Sequence, residues 1–345
     1  MSTFARLCST ILGAMLVLWL PAAPAHAQPI NQAWVASNGD DGGPFCHPCR
    51  TFQRAHDVVS AGGVIKCVDP GDYGPLTITK AISIVCDSTQ AGILVKSTGL
   101  GATSSTAITI NAGATDIVSL IGLELEAFGG DGFVGILFAG GAALHVNKVK
   151  IQNFRNTPGG VNGAGILFQP ITYAELYVTD SYITDNGSAG TDDGGILIKP
   201  TGTASANAFI NRVQLENNAA GIRVNGSNST GVAVNTIVLE SMVVGSAGNG
   251  IEALTTGGRA AVSVLVDHTV VSGNFASGIN ANGAAASGAG SAVVRIGDST
   301  IALNVTGVGT TGAGVVQSFK NNRISGNLTD GTPITAFPGP GGPLQ

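Results

Sequence analysis

The chain of 345 residues carries 16 Lys and Arg against 21 Asp and Glu, a formal net charge of −5. That balance excludes the clustered basic surface with which proteins neutralise a phosphate backbone, so no nucleic-acid partner is expected. Glycine is abundant, with 51 residues, yet hydrophobic residues make up 44% of the chain. Disordered chains lack that apolar content, so the glycines are expected to punctuate a regular β fold.

The N terminus has the pattern of an export signal. Residues 7–20 form a mostly apolar run of fourteen residues, and Ala25-His26-Ala27 is the small-x-small pattern that a signal peptidase accepts. The run is too short for a transmembrane helix, so no membrane span is expected. Residues 1–27 are therefore predicted to be a cleavable signal peptide, which places the mature chain in the periplasm or outside the cell.

Four cysteines follow the predicted signal peptide, and an even number in an exported chain favours disulfides. Of the three possible pairings we favour Cys46–Cys49 and Cys67–Cys86. Cys67 and Cys86 lie nineteen residues apart, on strands that become stacked neighbours if the chain coils with one short early turn. A zinc site built from all four cysteines is the alternative, because residues 46–49 have ligand-like spacing.

The mature chain is expected to begin with an extended lead-in over residues 28–50, followed by a capping helix over residues 51–61. Apolar residues and one histidine recur at the i, i+3, i+4 and i+7 spacing of a single helix face, at Phe52, Ala55, His56 and Val59. A glycine pair at residues 62–63 ends this helix. Short β-rich runs then begin at residue 64, interrupted by the turn cluster of residues 69–74.

An internal repeat dominates the sequence from residue 107 onward. Glycine followed by Ile or Val recurs at intervals of 30, 30, 26, 29, 28 and 29 residues, at Gly135, Gly165, Gly195, Gly221, Gly250, Gly278 and Gly307. An asparagine recurs in the turn before most of these glycines, and once more near the end of the chain, at Asn186, Asn218, Asn274, Asn304 and Asn327. Apolar residues alternate within each unit, which indicates short strands joined by corners rather than helices. Stacked units bury a shared core, and stacked asparagines are expected to hydrogen-bond along their column.

Two features of the sequence resemble the pectin-lyase-like superfamily. Residues 52–86 match its N-terminal signature of a cap helix, Gly-Gly, a strand, Pro-Gly-x-Tyr at residues 70–73 and a further β run, and the Asn, turn, Gly-Ile units look like its repeats. The resemblance implies an all-β, single-domain right-handed parallel β-helix over residues 62–327, a solenoid of about nine or ten coils behind a short capping helix. Residues 328–345 are expected to form a flexible tail rich in Pro and Gly.

The resemblance does not identify a reaction. The superfamily includes polysaccharide lyases, glycoside hydrolases, esterases, epimerases, phage tailspikes and non-catalytic surface proteins, and a fold shared so widely does not fix the chemistry. Neither an acidic calcium cluster with a nearby base nor a group of three aspartates matches a family pattern residue for residue. No catalytic residue is carried over, and the catalytic residues, if any, are unknown.

The repeat aligns one column of polar residues, at the corner before each recurring aliphatic residue. It contains Lys148, Asp180, Arg212, Glu240, His268, Asp298 and Asn321. One interpretation is a solvated ladder of alternating charges that supports the strand register. The other is a polar groove that grips a sugar chain, with Asp180, Glu240, His268 and Asp298 as candidate acid or base groups. Carboxylates two coils apart would be separated by about 9.6 Å, near the upper limit for inverting hydrolysis.

A second candidate patch lies on the coil around residues 173–193. Tyr173 and Tyr177 are four residues apart, so strand alternation allows both to face the same side as a sugar-stacking surface. Buried aromatic stacking is the alternative. Asp192 and Asp193 stand in a long polar loop where Ca²⁺ could bind, although the loop lacks the spacing of known calcium motifs, and a plain surface loop is the alternative. No cofactor is expected apart from Ca²⁺ at this loop.

Two function classes are consistent with these features. Few charges and few aromatic residues favour a non-catalytic exported scaffold or glycan-binding surface protein over a polysaccharide lyase or glycoside hydrolase. The expected partner is a polysaccharide or cell-surface glycan, contacted through Tyr173, Tyr177, Asp180, Asp192, Asp193, Arg212, Glu240 and His268. The C-terminal end of the solenoid has no evident cap, so docking on a partner or a second copy is also expected there.

Overall fold

The chain winds as a coil whose strands fall into three parallel sheets. The computed structural model describes residues 30–96, 106–128, 133–155, 163–188, 193–332 and 334–336. The predicted signal peptide lies outside the described residues. Each coil contributes one strand to sheet I, then one to sheet II and one to sheet III, before the chain returns to sheet I one level higher. A parallel β-solenoid of about nine turns results, as the sequence predicts.

Sheet I has twelve strands: β1 Gln32–Val35, β2 Gly63–Cys67, β5 Ile82–Val85, β8 Ile117–Ile121, β11 Ala143–Asn147, β14 Ala174–Thr179, β17 Ala206–Asn211, β20 Ala233–Leu239, β23 Ala261–Asp267, β26 Ala292–Gly297, β29 Val315–Ser318 and β32 Thr335–Ala336. Sheet II has ten: β3 Gly71–Asp72, β6 Ala91–Lys96, β9 Leu123–Phe128, β12 Lys150–Gln152, β15 Tyr182–Thr184, β18 Gln214–Glu216, β21 Met242–Val244, β24 Val270–Ser272, β27 Thr300–Ala302 and β30 Arg323–Ile324. Sheet III has ten: β4 Leu76–Ile78, β7 Thr106–Asn111, β10 Val134–Gly140, β13 Ala164–Phe168, β16 Gly194–Ile198, β19 Ile222–Asn225, β22 Ile251–Leu254, β25 Ser277–Gly283, β28 Thr306–Gly312 and β31 Thr329–Gly331.

The core runs through the middle of the coil, because side chains alternate between its interior and its surface. Strand β14 shows the pattern: Ala174, Leu176 and Val178 are buried, while Glu175 and Tyr177 face outward and are half-buried. The residues that follow the repeated glycines stack in register through sheet III, so the predicted columns exist: Ile136, Ile166, Ile196, Ile222, Ile251, Ile279 and Val308.

The repeated glycines lie at or next to the start of the sheet III strands, against side chains of sheet II, and the space there admits no side chain. A Cβ on Gly250 would stand 2.7 Å from the carbonyl oxygen of Gly278, from Val271 Cγ1 and from Asn274 Nδ2. A Cβ on Gly165 would stand 2.7 Å from the Gly195 oxygen and 2.8 Å from a methyl group of the sheet II residue Ile183. Contacts this short do not occur, so glycine is required by packing.

The predicted asparagine ladder is confirmed along the corner between sheets II and III. Asn186 Nδ2 donates to Asn218 Oδ1 at 3.0 Å, and the same oxygen accepts from the Asn186 backbone N–H. In the later coils Asn274 donates to Asn304 at 2.8 Å, and Asn304 to Asn327 at 2.9 Å. Each accepting amide oxygen therefore binds both a buried peptide N–H and the side-chain amide of the asparagine in the neighbouring coil.

The N-terminal cap is a shorter helix than the sequence suggests. Helix α1 spans Phe52–Val58, with Thr51 as N-cap accepting from the Arg54 N–H, and it ends at Val59, whose backbone is extended. Its buried side chains, Phe52 among them, cover the end of the core; the Phe52 ring lies 5.2 Å from that of Tyr73. Within the expected lead-in, β1 pairs with β2 and so extends sheet I beyond the first coil.

The cysteines form the favoured pairs, Cys46–Cys49 and Cys67–Cys86. The second bridge joins β2 to the end of β5, two strands that are paired neighbours in sheet I. The four sulfurs are therefore consumed by disulfides rather than arranged as zinc ligands.

Strand pairing continues past residue 327. β31 pairs with β28, and β32 pairs with β29, within the segment that the sequence predicts to be a flexible tail. Residues 337–345 of that predicted tail lie outside the described residues. Among the described residues, no helix is both long and apolar enough to cross a membrane.

Candidate functional site

The predicted polar column stands at the corner between sheets I and II. Six of its members occupy the same left-handed backbone position, with φ between 42° and 53°: Lys148, Asp180, Arg212, Glu240, His268 and Asp298. All six are exposed. In the last coil Lys320, not Asn321, takes this position with φ 76°, because that corner holds one residue more; Asn321 Oδ1 instead accepts from the Asp298 backbone N–H at 3.1 Å.

Ion pairs fill the middle of this column. Arg212 donates two hydrogen bonds to Asp180, at 2.7 and 3.0 Å, and its Nη1 lies 4.0 Å from Glu240 Oε2. The hydrogen bond from Arg212 is the main reason that the pKa of Asp180 is lowered. The guanidinium occupies the space between the two carboxylates, which is where a sugar would have to lie. A general acid also needs a raised pKa, whereas the pKa of Asp180 is lowered. Both observations fit a ladder of alternating charges better than a catalytic groove.

His268 also has a local partner. Its Nδ1 lies 2.9 Å from Asp267 Oδ2, and that hydrogen bond raises the pKa of His268. With Asp298 these two residues bring three ligand atoms within 4.8 Å of one another, a separation at which a metal ion could be held. All three residues are exposed or half-buried, and acidic groups at such spacing are common on surfaces without a metal, so we assign no metal to them.

Asp193 is fully buried, and both of its oxygens are engaged. One accepts from the Gly163 N–H at 3.1 Å, and the other accepts from the N–H and the hydroxyl of Ser188, at 3.0 and 3.2 Å. These bonds tie together two neighbouring coils. Asp192, the other residue of the predicted Ca²⁺ pair, lies outside the described residues.

A stack of three rings stands on the outward face of sheet I. His145, Tyr177 and Phe209 lie in register on β11, β14 and β17. The centroids of His145 and Tyr177 are 4.5 Å apart with planes 3° from parallel, and those of Tyr177 and Phe209 are 5.0 Å apart with planes at 12°. All three rings are half-buried. The stack therefore covers three coils with an aromatic surface outside the core.

Tyr173 and Tyr177 meet on one carboxylate beside the stack. The Tyr173 hydroxyl donates to Glu175 Oε1 at 2.6 Å, and the Tyr177 hydroxyl donates to Oε2 at 2.7 Å. These two hydrogen bonds lower the pKa of Glu175 and raise that of both tyrosines. Tyr173 remains 52% exposed. Its hydroxyl also accepts from Asn207 Nδ2 at 2.9 Å, and Asn207 Oδ1 in turn accepts from Asn235 at 3.1 Å.

The stack ends at His145, because the residue in register on β8 is Ser119. A depression of about 380 Å³ borders His145 at this end of the stack and extends along Tyr177. The depression is lined by Ser119, Ile121, His145, Val146, Asn147, Tyr177 and Thr179. Burial lowers the pKa of His145, so its imidazole is neutral at neutral pH.

No protein-family model and no curated protein sequence matches this chain significantly. Its three-dimensional structure is similar to the crystal structure of pectate lyase Pel9A, with a TM-score of 0.52 over 87% of this chain and 80% of that one, at 12% sequence identity. The chain has a pectin-lyase-like parallel β-helix fold. At 12% identity the likeness shows the fold alone.

A smaller depression lies on sheet II of this β-helix, near its N-terminal end. It measures about 160 Å³ and is bounded by acidic side chains, Asp72, Glu124 and Glu126. Glu124 is paired with Lys150 at 2.8 Å, and Asp72 Oδ1 accepts from the backbone N–H groups of Gly74 and Leu94, both at 3.1 Å. These carboxylates are thus largely held by the coil itself.

Sequence reasoning identified the tyrosines of the sheet I face but missed their neighbours. The sequence patterns described above single out none of His145, Phe209 and Glu175. A signal existed: His145, Tyr177 and Phe209 recur every 32 residues, the same interval that separates Lys148, Asp180 and Arg212 in the corner column. Aligning every outward position on that interval would have brought the three rings together.

Proposed function

We propose that this β-helix is an exported, non-catalytic glycan-binding protein whose binding face is the outward surface of sheet I. The observation that carries the proposal is the stack of His145, Tyr177 and Phe209, which presents aromatic surface across three adjacent coils. With Tyr173 at its border, the stack forms an amphipathic platform of the kind that binding sites combine with a few fixed polar groups.

Fixed polar groups flank the platform on both sides. On one side, the hydrogen-bonded chain of Asn235, Asn207 and the Tyr173 hydroxyl follows the helix axis. On the other side, Asn147 Nδ2 donates to the Thr179 hydroxyl at 2.6 Å. Amides and hydroxyls held in place by their neighbours match sugar hydroxyls, which both donate and accept hydrogen bonds.

The electrostatics of the face support binding rather than catalysis. The carboxylates nearest the platform, Glu175 and Asp180, have lowered pKa values because hydrogen bonds stabilise their ionised forms. Both therefore stay ionised at neutral pH and cannot serve there as general acids. Arg212, the cation between Asp180 and Glu240, is engaged by Asp180 and stays protonated.

A polysaccharide-active enzyme is the second candidate, and the parallel β-helix fold is compatible with it. If this chain shared such an activity, its active centre would have to use carboxylates or bases other than the paired ones described above. The two candidates differ in one measurable property, because an enzyme consumes the glycan that it binds.

Calorimetric titration of the purified full chain with a panel of oligosaccharides tests the proposal. We expect binding of at least one glycan without release of reducing ends or unsaturated products. The double variant Tyr173→Ala with Phe209→Ala should bind that glycan at least tenfold more weakly, since it removes two aromatic side chains from the face, and one aromatic side chain contributes about 1–3 kcal/mol where it stacks on a nucleic-acid base.

Tyr182→Ala is the matched control, because Tyr182 is a sheet II tyrosine whose hydroxyl donates to Glu216 at 2.7 Å in the same way. It should retain the wild-type affinity. Equal affinity of the double variant and the wild type would contradict the proposed face, and turnover of the bound glycan would favour the enzyme instead.

A further inference from the structure

We infer that the depression beside His145 is a subsite for one uncharged sugar ring, which continues the aromatic stack by one position. This inference rests on the proposed function and deepens it, since it names where one residue of the glycan lies and what chemistry that residue has.

The geometry leaves room for one ring at this position. Tyr177 covers one face of the imidazole at 4.5 Å, and the other face looks toward β8, one coil away, where Ser119 stands in register. Strands of neighbouring coils are about 4.8 Å apart, the distance at which the rings of this column stack. The depression of about 380 Å³ lies within the range of small-ligand sites.

The edge of the depression offers polar groups for a ring that carries hydroxyls. Asn147 and Thr179 border it on one side, held together by their hydrogen bond of 2.6 Å. Ser119 supplies a hydroxyl at the base, and Ile121 supplies an apolar wall. A sugar ring has both apolar C–H faces and hydroxyl edges, so it satisfies these surfaces together, whereas a purely apolar ligand would leave the polar groups unpaired.

The surrounding charges select against a carboxylated sugar. Glu175 is ionised on one side of the stack, and Asp180 lies on the other side, with one carboxylate oxygen 3.4 Å from Asn147 Nδ2. Arg212 is already bonded to Asp180, and Lys148 stands exposed next to the same carboxylate. Neither cation lines the depression, so a uronate there would be repelled by the ionised Glu175, whose oxygens accept from two tyrosine hydroxyls and not from a cation.

Substitution Ser119→Phe tests the subsite, because a fourth ring would occupy the position reserved for the sugar. We expect the variant to keep its thermal midpoint and to bind a neutral hexasaccharide at least tenfold more weakly than the wild type. Ser83→Phe is the matched control, since Ser83 is in register with Ser119 one coil further from His145. It should not weaken binding. His145→Ala, which removes the platform, provides a second variant if Ser119→Phe does not fold.

The charge selection is tested with neutral hexasaccharides and oligogalacturonate of equal length. Wild type should prefer the neutral glycan, and Glu175→Gln should raise the affinity for oligogalacturonate about twofold, the effect in water of one charge about 10 Å away, since β14 lies two coils from β8. Glu216→Gln, the equivalent tyrosine-bonded carboxylate of sheet II, should leave it unchanged.

The possible outcomes separate the subsite, its preference for uncharged sugars and the proposed function. Tight binding by Ser119→Phe and His145→Ala, combined with loss in the Tyr173 and Phe209 variant, would overturn the subsite and leave the proposed function standing. A wild-type preference for oligogalacturonate would overturn the uncharged class. Binding of no glycan at all would overturn the proposed function together with this inference.

Discussion

A methyl group added to Gly250 tests whether packing is the reason for the repeated glycine. In Gly250→Ala the new Cβ would stand 2.7 Å from three atoms: the Gly278 carbonyl oxygen, Val271 Cγ1 and Asn274 Nδ2. Two of these cannot move freely, since one is backbone of the next coil and the other donates to Asn304 Oδ1 at 2.8 Å. The backbone of Gly250 is not left-handed, so conformational strain adds nothing.

The expected cost follows from these contacts. Overpacking a filled site costs about 1–3 kcal/mol, and disturbing one buried ladder hydrogen bond costs about 1 kcal/mol more. Replacing glycine by alanine also restricts the unfolded chain, which returns about 0.4–1 kcal/mol. The net loss in the free energy of unfolding is therefore about 1–3.6 kcal/mol.

Gly257→Ala is the matched control in the same coil. Only the Ala284 Cβ lies within 4 Å of its added methyl group, at an unstrained 3.8 Å, and Gly257 is exposed. This variant should be as stable as the wild type or slightly more stable. Denaturant unfolding with the disulfides intact, followed by circular dichroism, measures both. A midpoint for Gly250→Ala equal to that of Gly257→Ala would refute the packing explanation of the repeat.

Three further predictions concern stability. Asn304→Ala should lose about 2 kcal/mol in denaturant unfolding, because Asn304 Oδ1 accepts two N–H groups of Asn274 that would be left buried without a partner; an unchanged midpoint would contradict the ladder's role. Replacing Cys67 and Cys86 together by Ser should lower the free energy of unfolding by about 3 kcal/mol, because the unfolded chain is no longer constrained by a disulfide between residues 19 positions apart. Denaturant unfolding of this variant and of the reduced wild type checks the value. Burial lowers the pKa of His56 below its usual value of 6.5, so the unfolded chain binds a proton at this residue more readily than the folded chain. The neutral, buried His56 therefore contributes fully to the free energy of unfolding above pH 6.5. That contribution is lost as the pH falls, by at most about 1.4 kcal/mol per pH unit. His56→Gln should lack that component, and identical pH profiles of the two proteins would argue against it.

Much of the fold could be predicted because its signals repeat. Each glycine and each corner asparagine is required for the same reason in every coil, so a period of about thirty residues emerges without knowledge of the structure. The same alignment placed Asp180, Arg212 and Glu240 in one column. The alignment failed only in the last coil, where an added corner residue moves Lys320 into the position assigned to Asn321.

The ends and the outward face were harder to predict. Strands such as β1 and β32 are set by pairing with the neighbouring strand rather than by their own short sequences. Outward positions on sheet I are not constrained by the core, so the ring column occupies only three coils and ends at Ser119. A property confined to three of about nine turns leaves little periodicity for sequence analysis to detect.

The central claim is that glycan lies on the sheet I face beside His145, and a crystal structure with a bound neutral hexasaccharide tests it most directly. We predict a sugar ring parallel to the imidazole above Ser119, with the glycan continuing across the outward edges of the stacked Tyr177 and Phe209 rings. Sugar bound instead at the acidic depression of Asp72, Glu124 and Glu126 would contradict the account, as would sugar bound along the corner between sheets I and II.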